Sequence, residues 1–149
     1  MEPSQDPSWS YYPETVLEFE TTPALAVDLR RQIPPADLPR LRALADNRSF
    51  AVLTPCNPRG QTLSDQDNES RLAGLIAELG RLAIPAIGVT GVSPDRKHRE
   101  PGVAVAVAQL EAVELAARLE QSALFWFDGE AVWLVPVLIA GQPCRLPFA

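Results

Sequence analysis

Residues 54–79, TPCNPRGQTLSDQDNESRLAGLIAEL, run from a strand-like end through a proline turn into a helix. Ser64, with Asp67 three residues on, forms a capping-box-like start in which the hydroxyl serves an otherwise orphan N–H. Leu72, Leu75, Ile76, Leu79, Leu82 and Ala83 then recur at helical spacing, which predicts a core-facing helix over residues 65–82. Leu72, Leu75 and Leu79 fall within about 40° of Asn68 at roughly 100° per residue, so this asparagine sits on the axis of the apolar stripe. A buried amide without partners costs on the order of 1–3 kcal/mol, so Asn68 must find them locally.

Working outward, residues 49–54 (SFAVLT) form an apolar run of strand length, stopped by Pro55 and Pro58. Residues 15–20 alternate as a half-buried strand does, and residues 36–46 place Leu38, Leu41, Leu44 and Ala45 on one helical face. Residues 86–92 read as a strand, the charged run DRKHREPG as a loop, residues 103–108 as a strand and residues 110–120 as a helix. Residues 123–127 and 131–135 flank Asp128-Gly129, a strong hairpin signal. The order β-α-β-α-β-β-α-β-β combines crossover and hairpin connections. It predicts a single α/β (α+β) domain with a mixed β-sheet of about five to six strands covered by about three helices. Residues 1–13 form a loosely ordered lead-in, 14–138 the domain and 139–149 a C-terminal tail.

At 149 residues the chain is one domain long and able to bury one core. Its 15 prolines, against an ordinary share of about 5%, fall largely between the periodic segments. Net charge is −6, and six of the 19 acids precede Arg30, the first base, leaving 13 acids against 13 bases. Binding to nucleic acid or a membrane surface needs a positive field that this chain lacks, so neither is an expected partner. Cys56 and Cys144 fit neither a disulfide framework nor a zinc pattern. No basic-then-apolar leader opens the chain and no apolar run reaches the ~18 residues of a membrane span, so the expected location is cytoplasmic. GVTG is not a dinucleotide fingerprint and NPRG is not a phosphate loop, so no cofactor is expected.

Chemistry concentrates at the strand-to-helix junction. Asn57 lies in the loop feeding the helix that carries Asn68, and Arg71 flanks the same face. Strand ends that lead into helix N-termini commonly place ligands, and the free N–H groups there favour anions. The plain structural alternative is that Asn57-Pro58 holds the turn while Asn68 bonds the loop backbone. DRKHREPG holds the single histidine, His98, with Arg99 and Glu100. Histidine is a side chain suited to acid/base work, and a partly buried Glu100 can act as acid or base. Otherwise the run is a solvated loop. Gln121 ends the last helix, and Cys56 reads as an idle thiol because nothing brings a base to it.

In order, TPCNPRG…LSDQDNESR, HREPG and LAARLEQSALFW resemble a bacterial family, domain of unknown function 3293. That family's pattern is a Thr-x-x-Asn-Pro turn, an Asn-x-x-Arg helix start, a glutamate segment often preceded by tryptophan, and Gln-x-Ala near the last helix. Thr54, Asn57, Pro58, Asn68, Arg71, Glu100 and Gln121 match it, over roughly residues 12–135. His98 stands near the expected tryptophan, and Glu120 precedes the glutamine where a small or polar residue is common. The resemblance implies one shared polar pocket and brings no activity with it.

Three functions follow as expectations. The first is a binding module whose pocket of Asn57, Asn68, Arg71, Arg99 and Gln121 takes a small anionic or nucleotide-like ligand. The second is a small enzyme with Glu100 or His98 as general acid/base. The third is an interaction domain that docks a protein partner, or a second copy, through the acidic, aromatic N-terminal segment with Trp9, Tyr11 and Tyr12.

Overall fold

The computed structural model describes residues 2–148; residues 1 and 149, the outer ends of the expected lead-in and tail, lie outside the described residues. Eight strands form one sheet: β1 (Val16–Phe19), β2 (Leu25–Asp28), β3 (Phe50–Leu53), β4 (Ala86–Val92), β5 (Arg99–Val105), β6 (Ala123–Phe127), β7 (Val132–Pro136) and β8 (Cys144–Arg145). Three α-helices accompany them among the described residues: α1 (Leu38–Ala43), α2 (Asp65–Arg81) and α3 (Gln109–Arg118). The strand order is β2-β1-β4-β5-β3-β6-β7-β8.

This corrects the expected mixed sheet of five to six strands under three helices, because every pairing is antiparallel. The physical reason lies in how the crossovers are split. Through α2 the chain passes from β3 to β4, and these two run in the same direction because both pair antiparallel with β5. Through α3 it passes from β5 to β6, which likewise flank β3. Each crossover joins strands of like direction, yet a third strand always lies between them, so no parallel ladder forms.

Two strands escaped the sequence reading. Leu25 and Val27 point into the core from a four-residue strand that follows Pro23, and β8 is only two residues long. A third difference concerns the charged run, since β5 begins at Arg99 rather than after it. Pro101 is tolerated there because β3 has ended: the β3–β5 ladder stops at Leu53↔Val103. Gly102 allows the close approach that follows, since a Cβ at that position would lie 2.3 Å from the Leu53 carbonyl oxygen.

The sheet buries both faces. Ala51, Leu53, Val103 and Val105 pack with Leu75 and Leu79 of α2 and Ala112, Leu115 and Ala116 of α3. Each fully buried leucine contributes about 1.5–3 kcal/mol. Leu17, Phe19, Val27, Phe50, Phe125 and Phe127 form the opposite cluster, joined by Leu41 of α1 and by Trp9 and Tyr12. The apolar stripe of α2 is narrower than its periodicity suggests, for Ile76 and Leu82 are exposed. At the other end of the helix Ser64 caps as expected, its hydroxyl accepting from the Asp67 N–H at 3.1 Å.

Candidate functional site

Five pieces of chain meet beyond the end of β3: the loop of residues 54–63, the start of α2, the end of α3, the first half of β5 and the N-terminal segment. Asn57 is their centre. Its backbone is left-handed (φ 49°), a conformation that asparagine accepts more readily than most residues. The Asn57 N–H donates to Asn68 Oδ1 (3.0 Å), and Asn68 Nδ2 returns a bond to Asn57 Oδ1 (2.9 Å). The Leu63 N–H takes the second place on Asn57 Oδ1, at 2.9 Å. With both acceptor sites of Oδ1 filled, Asn57 Nδ2 donates to Glu100 Oε1 at 2.8 Å.

Arg71 ties two carbonyls together, donating from Nε to Pro55 and from Nη2 to Leu119. Gln121 is buried and accepts the Thr54 N–H at 3.0 Å. Thr54 Oγ1 in turn donates to the Pro101 carbonyl and accepts the Cys56 N–H. Arg59 bonds the Glu120 carbonyl through its N–H and pairs with the Glu120 carboxylate at 3.1 Å. Asn68, Arg71 and Gln121 therefore direct these bonds at the protein's own chain, and together they fix where Asn57 and Glu100 stand.

Glu100 is partly buried on β5. Burial pushes its carboxyl above the ordinary glutamate range and the nearby Asp6 carboxylate adds to this, while the Asn57 bond and His98 pull the other way. Asp6 itself is 3% exposed. Its Oδ1 accepts from the N–H and hydroxyl of Ser8, and Oδ2 has no partner among the described residues. The carboxylate is seated against Gly60 (φ +75°), where a Cβ would come within 2.0 Å of Oδ1. Tyr12 completes the group: burial, then Asp6 and Glu100, push its phenol upward, and its ring lies 5.9 Å from that of Phe125.

The residues singled out in the sequence thus divide. Asn57, Asn68, Arg71, Glu100 and Gln121 come together. Arg99 does not: strand alternation sends it to the other face, where it pairs with Glu18 at 3.1 Å. His98 is exposed in the turn between β4 and β5, and its backbone carbonyl accepts the Ser93 N–H. Burial pushes the Cys56 thiol up, and its Sγ donates to the Pro101 carbonyl, so it is a neutral group at rest. Asp6 and Tyr12 were read only as part of an acidic, aromatic docking segment and not as neighbours of this corner. Their signal was only an acid and an aromatic in an unpatterned segment, with nothing local to connect them to Glu100.

Two cavities, of about 300 and 80 Å³, lie towards the far end of β5, around Arg48, Ala106 and Trp126 and around Phe50, Ile87 and Ala104. Neither is lined by Asn57, Asn68, Arg71, Glu100 or Gln121. Among the described residues no three His, Cys, Asp or Glu side chains are grouped to hold a metal ion, and no helix is long and apolar enough to cross a membrane.

No curated protein and no solved structure matches the chain. The model of the family described as protein of unknown function (DUF3293) matches residues 53–124, the span that contains Asn57, Asn68, Arg71, Glu100 and Gln121, and it supports the family read from the motifs.

Proposed function

We propose that this domain is a binding module whose ligand contacts are Glu100 and Asn57, with Asn68, Arg71 and Gln121 as positioning residues. One observation carries the reading: a desolvated carboxyl on a sheet strand is held by an amide whose own orientation is locked by two donors. Perturbed carboxyls of this kind concentrate at functional sites. The ligand chemistry follows from what the corner leaves available. Arg71 and Arg59 are bonded to carbonyls and to Glu120, whereas among the described residues no hydrogen bond or ion pair joins a cation to Glu100 or Asp6. A nucleoside-like or amine ligand that donates hydrogen bonds fits this better than a simple anion does.

A thermal-shift screen against nucleosides, amino sugars, polyamines and simple anions tests it. A rise of several degrees with one donor-rich class, lost in a folded Glu100→Gln variant, is the expected result. A rise that survives in Glu100→Gln, or occurs only with anions and vanishes in Arg71→Ala, contradicts it.

The raised Glu100 carboxyl also favours a second reading, general acid/base catalysis, because a proton exchanged nearer neutrality is what such a group requires. That reading predicts a ligand that Glu100→Gln still binds but no longer turns over.

A further inference from the structure

We propose that the larger cavity, walled by Trp126, Arg48, Ser49 and Gln109, is a second binding site that takes a small planar aromatic carboxylate. Ala106, which lines it, is six residues beyond Glu100. At roughly 3.4 Å per residue that is about 20 Å along the strand, so the cavity stands apart from the Asn57–Glu100 corner.

The sheet builds the walls. Phe50 opens β3 towards the cluster around Phe127, whereas Ala51 faces the side of α3. Alternation puts Ser49 on the α3 side as well, and Trp126 of β6 stands directly opposite Ala51 there. Residues 106–108, which carry the chain from β5 into α3, line the next side. Arg48 lines the last. Its Nε donates to the Ala45 carbonyl at 3.2 Å, which anchors the guanidinium and leaves both Nη groups without a protein acceptor among the described residues.

What the walls leave unused decides the ligand. Arg48 is the one charged residue of the lining, and none of the ion pairs among the described residues includes it. Asp46 and Glu111, the acids nearest in sequence, are exposed and line no part of this cavity. Among the described residues no protein group bonds to Ser49 Oγ, to the Gln109 side-chain amide or to the Trp126 indole N–H. Trp133, the partner of Trp126 across β6 and β7, shows the contrast: its indole donates to Asp128 at 2.7 Å. A half-buried indole usually finds such a partner. Nor does another aromatic ring pack on Trp126. An indole wall suits a flat ring, and a guanidinium with two free Nη groups suits a carboxylate. The volume of about 300 Å³ is at the lower end of the range for ligand pockets, which fits one ring system better than a whole nucleotide.

Titration of the nitrogen-15-labelled full chain with an indole carboxylate, its neutral carboxamide and acetate, followed by NMR, tests this. With the carboxylate, the Trp126 indole signal and the Ser49 and Gln109 amide signals should move together and saturate, while the Trp9 indole and the Glu100 amide stay fixed. The carboxamide lacks the charge and acetate lacks the ring, so each should bind at least about tenfold more weakly. Arg48→Gln changes an exposed residue outside every helix and strand. It should weaken the carboxylate about tenfold and leave the carboxamide unchanged. Trp126→Leu should abolish saturation, and Arg48→Gln decides the matter should that variant fold poorly. Shifts that never saturate, equal affinity for carboxylate and carboxamide, or wild-type carboxylate affinity in Arg48→Gln each overturn the inference. Glu100→Gln should bind the same probe as the wild type does, so a failure here leaves the reading of the corner standing.

Discussion

Asn57 and Asn68 close a two-bond ring in which each residue both donates and accepts, through the Asn57 N–H at 3.0 Å and the Asn57 Oδ1 at 2.9 Å. This ring explains why an amide stands on the apolar stripe of α2. It is the only side chain of that stripe that can satisfy a loop N–H and fix an amide orientation together.

Replacing Asn68 by alanine orphans the Asn57 N–H and frees Asn57 Oδ1 from one donor. The expected loss is about 1–3 kcal/mol in urea denaturation at unchanged slope. Asn68→Asp keeps the acceptor but removes the donor and adds a charge near Glu100. It should cost more at neutral pH than at acid pH.

Arg71 clamps the Pro55 and Leu119 carbonyls with one planar group. Arg71→Lys offers a point donor that cannot span both, so a loss of about 1–3 kcal/mol is expected, with Arg71→Ala no better. Equal stability of Arg71→Lys and wild type in the same denaturation series would show that the clamp contributes nothing.

Gly60→Ala and Gly102→Ala separate the N-terminal segment from the sheet. At Gly60 the new Cβ meets the Asp6 carboxylate 2.0 Å away, on a backbone with φ +75°. The expected outcome is release of residues 3–14 with the sheet intact, seen as faster exchange confined to the N-terminal amides. At Gly102 the Cβ meets the Leu53 backbone at 2.3 Å, inside the β3–β5 junction. A global loss of about 1–3 kcal/mol or more is expected there.

The pH profile of stability should have two limbs. Glu18 and Asp28 are held below the ordinary carboxylate range chiefly by bonds from Arg96 and Arg30, so their contribution is lost as pH falls through the lowered values. Glu100 is raised, so its contribution is lost as pH rises through the raised value. Melting temperature against pH should therefore flatten on the upper limb alone in Glu100→Gln.

Local chemistry was legible in the sequence and long-range order was not. Asp128-Gly129 makes the hairpin its dipeptide announces: Asp128 Oδ1 accepts from Glu130 and Ala131, and Oδ2 accepts from the Trp133 indole. The Ser64 cap and the convergence of Asn57, Asn68 and Arg71 follow from spacing within one loop and one helix. The strand order did not follow, because inserting β5 between β3 and β4 leaves no trace in periodicity. Nor did Asp6 beside Glu100, since a single buried acid in an unpatterned segment has no sequence period to betray its burial. Arg99 was assigned to the wrong surface for the same reason: a charged run read as a loop conceals the alternation of the strand that it begins.

The central claim is that Glu100 is a desolvated carboxyl oriented by Asn57. Its most direct test is a carbon-13 NMR titration of the Glu100 side-chain carboxyl in the wild type and in Asn57→Ala. The account predicts a midpoint above the ordinary glutamate value of 4.5 in the wild type, moving further up once the Asn57 bond is gone. A wild-type midpoint at or below the ordinary value, unmoved by Asn57→Ala, would contradict it.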